Sequence, residues 1–222
     1  FSEESRVDET THARAVADHC GTRHREVDCT AERVDLLPKL LHHFDEPFAD
    51  PIIVPTHQVS ELARKHVKVV LTGEGADELF GGYTRYVRDR SIQRMRILPA
   101  PLRLALAAAG RQAAPGHSLT RAMAMSAQSA PGRALSWVSA FEDDELATVT
   151  SMSPTGAARR LYEQIAAESP AGNDLETLMF CEQRLRLPDC MLARTDRMTM
   201  AVSLEGRTPF LDHRLGEYVM WL

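Results

Sequence analysis

VVLTGEGADELFGGY, Val69 to Tyr83, reads as a strand, a Gly-acid-Gly turn and the acidic start of a helix. The run Val67 to Thr72 (VKVVLT) is β-branched and nearly continuous in apolar character, the pattern of a parallel strand buried on both faces. Gly73 and Gly75 can take positive φ and let the backbone come close to a ligand. The acids narrow the choice of ligand. Glu74, Asp77 and Glu78 crowd one helix start, so a bare polyphosphate would meet three carboxylates. A divalent ion removes that conflict, because Mg²⁺ is held by one or two carboxylates with phosphate oxygens and water. The loop therefore fits Mg-ATP or Mg-pyrophosphate. No Lys follows these glycines, which excludes the G-x-x-x-x-G-K-[ST] phosphate loop. In the dinucleotide pattern G-x-G-x-x-G, Glu78 would stand where the third glycine packs the helix, so a NAD site is excluded as well.

Outward from the loop, short strand signals alternate with helical ones. Asp8 to Cys20 reads as a helix stopped by Gly21, and His24 to Cys29 as a short strand. Thr30 can cap a helix carrying Val34, Leu37, Leu41 and Phe44, which ends at Asp45-Glu46-Pro47. Asp50 is expected as the N-cap of a helix running to about His66, with Pro51 in its first turn. Such alternation predicts an α/β fold with an open parallel sheet whose ligands sit at the carboxyl ends of the strands. From Tyr83 to Gly132 the pattern is helical with breaks at Pro99, Pro101, Pro115 and Pro131. Further helices are expected over Asp174 to Leu187 and Asp189 to about Leu204.

The 222 residues are 44% hydrophobic and 26% charged, a globular composition. A net charge of −5 and a pI near 6.0 suit a small-molecule enzyme and argue against nucleic-acid binding. The apolar run Leu98 to Gly110 is interrupted by Arg103 and falls short of the roughly 20 residues that span a bilayer. Cys20, Cys29, Cys181 and Cys190 lack C-x-x-C spacing and read as reduced structural thiols. Phe1 at the start and the apolar Tyr218 to Leu222 at the end lead us to expect further chain on both sides.

Three blocks resemble those of the asparagine synthetases: Thr72 to Tyr83 (TGEGADELFGGY), Asp45 to Pro51 (DEPFADP) with Pro55-Thr56, and Asp196 to Asp212 (DRMTMAVSLEGRTPFLD). The resemblance implies a nucleotide α-hydrolase fold of the pyrophosphatase-loop type. It implies that ATP adenylylates aspartate and that ammonia displaces AMP. The ammonia would come from an amino-terminal glutaminase domain that is not in this chain, and the setting would be cytoplasmic. On this basis residues 1–90 would be a partial nucleotide-binding core and 91–222 the helical part of the same synthetase domain. Thr72, Gly73 and Gly75 would contact the nucleotide, Glu74 would face the acyl-adenylate, and Asp77 would hold Mg²⁺ and pyrophosphate. Asp45 falls in a matching loop and serves as a helix stop before Pro47.

Three departures stand out. No S-G-G-x-D-S pyrophosphate loop occurs in the sequence, so this chain by itself is expected to be inactive. Where some members carry a lysine before S-L-E-x-R, this chain offers Arg194 and Arg197. We take Arg197 as catalytic; an arginine can stabilise developing negative charge but cannot give up a proton at neutral pH. Gly206 replaces a frequent Ala. Glu205, Arg207 and Asp212 are expected to form a structural ion network around Pro209, and Met123, Met125, Met191, Met198 and Met200 to fill helix cores. His42, His43 and His213 match no metal pattern. Two alternatives stay open: a tailoring amidotransferase or cyclase of the same fold acting on a natural product or peptide, and a non-catalytic remnant.

Overall fold

Along the chain the elements are α1 (Thr10–Cys20), α2 (Leu37–Phe44), α3 (Ile53–Arg64), β1 (Val69–Leu71), α4 (Ala76–Phe80), α5 (Thr84–Arg94), α6 (Ala100–Ala113), α7 (Ser118–Ser126), α8 (Ala130–Val138), α9 (Asp143–Val149), α10 (Ala157–Ala167), α11 (Asp174–Cys181), α12 (Ala193–Met200), β2 (Glu205–Arg207) and α13 (His213–Val219). Between α11 and α12, Glu182–Leu192 is wound as a π-helix. The computed structural model describes residues 10–27, 35–113, 118–141, 143–150, 155–170 and 172–219. The chain is a mostly helical α/β structure with a small parallel sheet. It divides into two units, Phe1–Gly73 with Cys190–Pro209, and Glu74–Asp189 with Phe210–Leu222. No described helix is long and apolar enough to cross a membrane.

In the first unit β1 and β2 pair in parallel, Val69 opposite Glu205, Val70 opposite Gly206 and Leu71 opposite Arg207. The parallel direction agrees with the sequence reading; the burial does not. Val69 is 42% and Leu71 72% exposed. Strand side chains alternate, so these two share the open face with Glu205 and Arg207, while Gly206 turns toward Thr195 and Thr199 of α12. The apolar core lies on the other side of α12, where Met198 packs with Leu40 and Phe44 of α2 and Ile53 and Val54 of α3. Phe44 stacks on Phe48 at 3.9 Å.

Several local expectations shift. Asp45 ends α2 as predicted, in the left-handed region at φ 66°, its N–H donating to the Leu41 carbonyl. Asp50 does not cap α3. Its Oδ1 accepts from the Ile52 N–H at 3.0 Å in a preceding turn, and α3 starts at Ile53. Among the described residues 22–27 form no strand; Glu26 is drawn out to Arg14 (2.7 Å) and His24 (3.0 Å) instead of into a ladder. Asp8, Cys29, Thr30, Val34 and Pro115 lie outside the described residues. The expected break between two helices near Pro188 is replaced by the π-helix. Its wider turn accommodates a ring that lacks an N–H and would clash with the i−4 carbonyl of an α-helix. Cys181 is buried, as a structural thiol should be, whereas Cys20 is exposed. Met125, Met191 and Met198 are core residues; Met200 is 55% exposed.

The second unit is organised around charge. Its apolar cluster joins Tyr86 of α5, Ala130 and Ala134 of α8, Tyr162 of α10, and Leu178 and Cys181 of α11. Beside it Arg133 is 0% and Asp89 1% exposed. Arg133 donates from Nε to Asp89 Oδ1 (2.9 Å), from Nη2 to Asp89 Oδ2 (3.2 Å) and Asp174 Oδ2 (2.8 Å), and from Nη1 to the Gln128 carbonyl (3.1 Å). Asp89 also accepts from Trp137 Nε1 at 3.0 Å and Gln93 Nε2 at 2.9 Å. A guanidinium out of water is tolerated because nearly every N–H has an acceptor, and this fork ties α5, α8 and α11 together. Removing one partner strands the other, so Asp89→Ala is expected to destabilise the second unit by about 3–5 kcal/mol. Urea denaturation followed through Trp137 fluorescence measures it, and an unchanged midpoint would refute the role of the fork.

Candidate functional site

Thr72 leaves β1 with its backbone fixed: its N–H donates to the Arg207 carbonyl at 2.8 Å, and its hydroxyl reaches the same oxygen at 3.4 Å. Two residues 135 positions apart thereby meet at the carboxyl end of the strand pair. Across the same unit, Arg194 Nη1 donates to Asp50 Oδ2 at 2.6 Å, both side chains largely buried. The Asp45–Pro51 block is thus tied to α12 by Asp50–Arg194, and the start of the Thr72–Tyr83 block to the Asp196–Asp212 block by Thr72–Arg207.

This settles the two arginines differently. Arg194 lies one helical turn from Met198, on the buried face of α12, and is committed to Asp50. Arg197 is exposed and has no side-chain ion pair or hydrogen bond among the described residues. At about 100° per residue it projects roughly opposite Thr195 and Thr199, which face Gly206. A sequence signal for the Asp50 pair did exist. An arginine spaced four from a core methionine on one helix face needs a buried acid as partner.

The turn residues differ from one another. Gly73 is exposed, and a Cβ there would meet nothing within 4 Å. Gly75 sits at φ +92°, and a Cβ there would run into the Leu211 side chain. A Cβ on Gly82 would collide with the Asp77 carboxylate. Gly75 is thus required by the fold, Gly82 leaves room for the Asp77 carboxylate, and Gly73 has no such reason. Asp77 is exposed and Glu74 half-buried at the start of α4. Glu78 is the exception among the acids: it is 2% exposed and accepts the Tyr83 hydroxyl. Burial, followed by the hydrogen bond to Glu78, raises the Tyr83 pKa. Of the three acids crowded together in the sequence, Asp77 is exposed, Glu74 half-buried and Glu78 built into the unit.

The expected Glu205–Arg207–Asp212 network separates into local pairs. Arg207 Nε donates to Glu205 Oε1 at 2.8 Å on the open face of the sheet. Asp212 is gripped by Arg214 (2.6 Å), whose hydrogen bonds hold its pKa well below the usual carboxylate range. The open Ala-to-Gly change is also explained, since a Cβ on Gly206 would touch Thr199 at an ordinary 3.5 Å.

Asparagine synthase is the description of the family model that matches residues 1–222. The chain belongs to that family. A protein of Mycobacterium tuberculosis provisionally named asparagine synthetase (glutamine-hydrolyzing) is 35% identical over 90% of this chain and 31% of its own length. Asparagine synthetase (glutamine-hydrolyzing) 1 of Bacillus subtilis is 34% identical over 82% of this chain and 29% of its own. Asparagine synthetase (glutamine-hydrolyzing) 3 of Arabidopsis thaliana is 35% identical over 32% of this chain and 13% of its own. The chain spans about a third or less of the length of these relatives. No solved structure matches it.

Gly75→Ala is expected to destabilise by about 2 kcal/mol or more, combining a left-handed residue with an overpacked contact. Gly73→Ala is expected to melt with the wild type. Thermal melts of both variants check this, and equal melting temperatures for the two would contradict it.

Proposed function

We propose that the chain is the nucleotide-handling part of an ATP-dependent ligase of the asparagine synthetase (glutamine-hydrolysing) type. In this reading the β-carboxylate of aspartate attacks the α-phosphorus of ATP and releases pyrophosphate. Ammonia derived from glutamine then displaces AMP from the acyl-adenylate. The fold would be of the nucleotide α-hydrolase type, with 1–90 as part of its core and 91–222 as its helical part.

The observation that carries the reading is Gly73. It stands at the carboxyl end of a parallel strand, where open α/β sheets bind ligands, and the space a side chain would fill is empty. A glycine without a packing reason, followed in the chain by Glu74 and Asp77, suits close approach of a ligand's phosphate to the backbone. Thr72, pinned by the Arg207 carbonyl, fixes where that backbone lies. Gly75 supplies the left-handed turn that leads into α4. Glu74 would face the acyl group, and Arg197 would offset charge on pyrophosphate or on a tetrahedral oxyanion.

Mg²⁺ fits the donors present. Among the described residues no three His, Cys, Asp or Glu are grouped to hold a metal. The demand here is smaller, one or two hard oxygen ligands completed by phosphate and water, and the exposed Asp77 carboxylate can meet it. Bound there, the ion would supply charge neutralisation at the pyrophosphate oxygens. Glu78, held by Tyr83, takes no part. The tailoring amidotransferase keeps the same loop and would differ in its acceptor, so exchange assays with other carboxylates separate the two readings.

Aspartate-dependent ATP–pyrophosphate exchange by the full-length protein tests the proposal; its absence with every amino acid tried would overturn it. In that assay Asp77→Asn is expected to lower turnover on the order of 10²-fold, with partial rescue by excess Mg²⁺ and an unchanged melting temperature. Superimposable Mg²⁺ titrations for wild type and variant would return Asp77 to a helix-dipole role. Arg197→Ala is expected to lose far more turnover than Arg197→Lys, since the role assigned to it is charge; equal losses would point to the planar fork instead.

A further inference from the structure

α4 is only five residues long, Ala76–Phe80, too short to hold itself in water. Something else must fix the outward acids of its loop. Its last turn is partly satisfied locally, the N–H groups of Gly81 and Gly82 both donating to the Asp77 carbonyl. The Glu78 carbonyl is filled from elsewhere. Gln183 Nε2, 105 residues along the chain, donates to it at 2.8 Å.

The neighbour of Gln183 completes a second attachment. The Glu182 carboxylate, 3% exposed, pairs with Arg85 Nη2 at 2.7 Å. The Arg85 guanidinium lies 3.6 Å from the centre of the Tyr83 ring, and the Tyr83 hydroxyl is held on the buried Glu78 carboxylate. The chain of contacts Glu182–Arg85–Tyr83–Glu78 therefore reaches α4 from the side-chain direction, and Gln183 reaches it from the backbone. Both begin at the first turn of the π-helix. The links are made by part-buried hydrogen bonds between charged or polar groups, which gives the attachment one preferred geometry.

We propose that Gln183, together with the Arg85–Glu182 pair, forms a strap of positioning residues that holds α4 so that Glu74 and Asp77 keep their places in the reaction. This rests on the roles given to Glu74 and Asp77 above. Gln183 touches neither substrate nor metal in this proposal. It acts through the Glu78 carbonyl, and displacement of a reacting group by about 1 Å can cost on the order of 10²-fold in rate.

The test uses the full-length protein with Gln183→Met, which keeps reach and bulk but cannot donate, and Gln183→Lys, which restores a donor. Three quantities are read: aspartate-dependent ATP–pyrophosphate exchange as a function of Mg²⁺, melting temperature, and amide hydrogen exchange over residues 74–83. The expected result for Gln183→Met is about tenfold lower kcat, a raised Mg²⁺ requirement, several-fold faster amide exchange confined to that segment and a wild-type melting temperature, with Gln183→Lys close to wild type. A role in packing alone would leave Met equal to wild type, and that outcome overturns the proposal. A loss in Gln183→Met that Gln183→Lys does not recover also overturns it. If the wild type shows no exchange activity, the functional reading fails and the positioning role falls with it. Wild-type activity matched by both variants removes the strap alone.

Discussion

The Arg207 carbonyl, shared by the N–H and the hydroxyl of Thr72, is the contact on which the first unit turns. It closes a parallel strand pair whose members are separated by nearly the whole of the second unit in sequence. Parallel strands cannot be joined by a short turn, so the pair forms only when the chain in between has been accommodated. Once formed, it sets Gly206 against Thr195 and Thr199, which orients α12. That orientation turns Met198 into the α2–α3 core and Arg194 onto Asp50. A strand end, a helix face and a buried ion pair all follow from one register.

The second unit relies on a different device. Its apolar cluster is modest and includes two tyrosines, two alanines and a cysteine. Arg133, on α8, compensates by satisfying acceptors on α5, on α11 and in the loop before α8, and the buried Glu182 is held by Arg85. Such arrangements give little net stability over a well-packed apolar core, but they penalise any alternative packing that leaves a charge unpaired. Burial raises the pKa of Glu182, opposed by Arg85, as expected of a carboxylate retained for geometry.

The left-handed glycine at Gly75, the stop at Asp45 and the parallel direction of β1 were legible before the fold was known, because each follows from local chemistry and pattern. Burial was misjudged at Leu71 because an apolar run predicts a two-sided cover only if neighbouring layers exist, and here the face shared with Glu205 and Arg207 is open. The helix break at Pro188 was misjudged because a π-turn absorbs the ring. Asp50 carries the letter of an N-cap, and its second oxygen is claimed by a residue 144 positions away.

The sequence by itself determined the family blocks and the glycine that the left-handed turn at Gly75 requires. These are properties of a few adjacent residues and their backbone angles, and no distant contact changes them. The tertiary structure alone decided which of equivalent residues are taken into the interior. Glu74, Asp77 and Glu78 look alike in the sequence, yet Glu78 is taken inward because Tyr83 and Gln183 supply its partners. Arg194 and Arg197 look alike too, and only the register of α12 against Asp50 makes one a buried strut and leaves the other in water. Desolvation separates them, and desolvation is set by what packs from far along the chain.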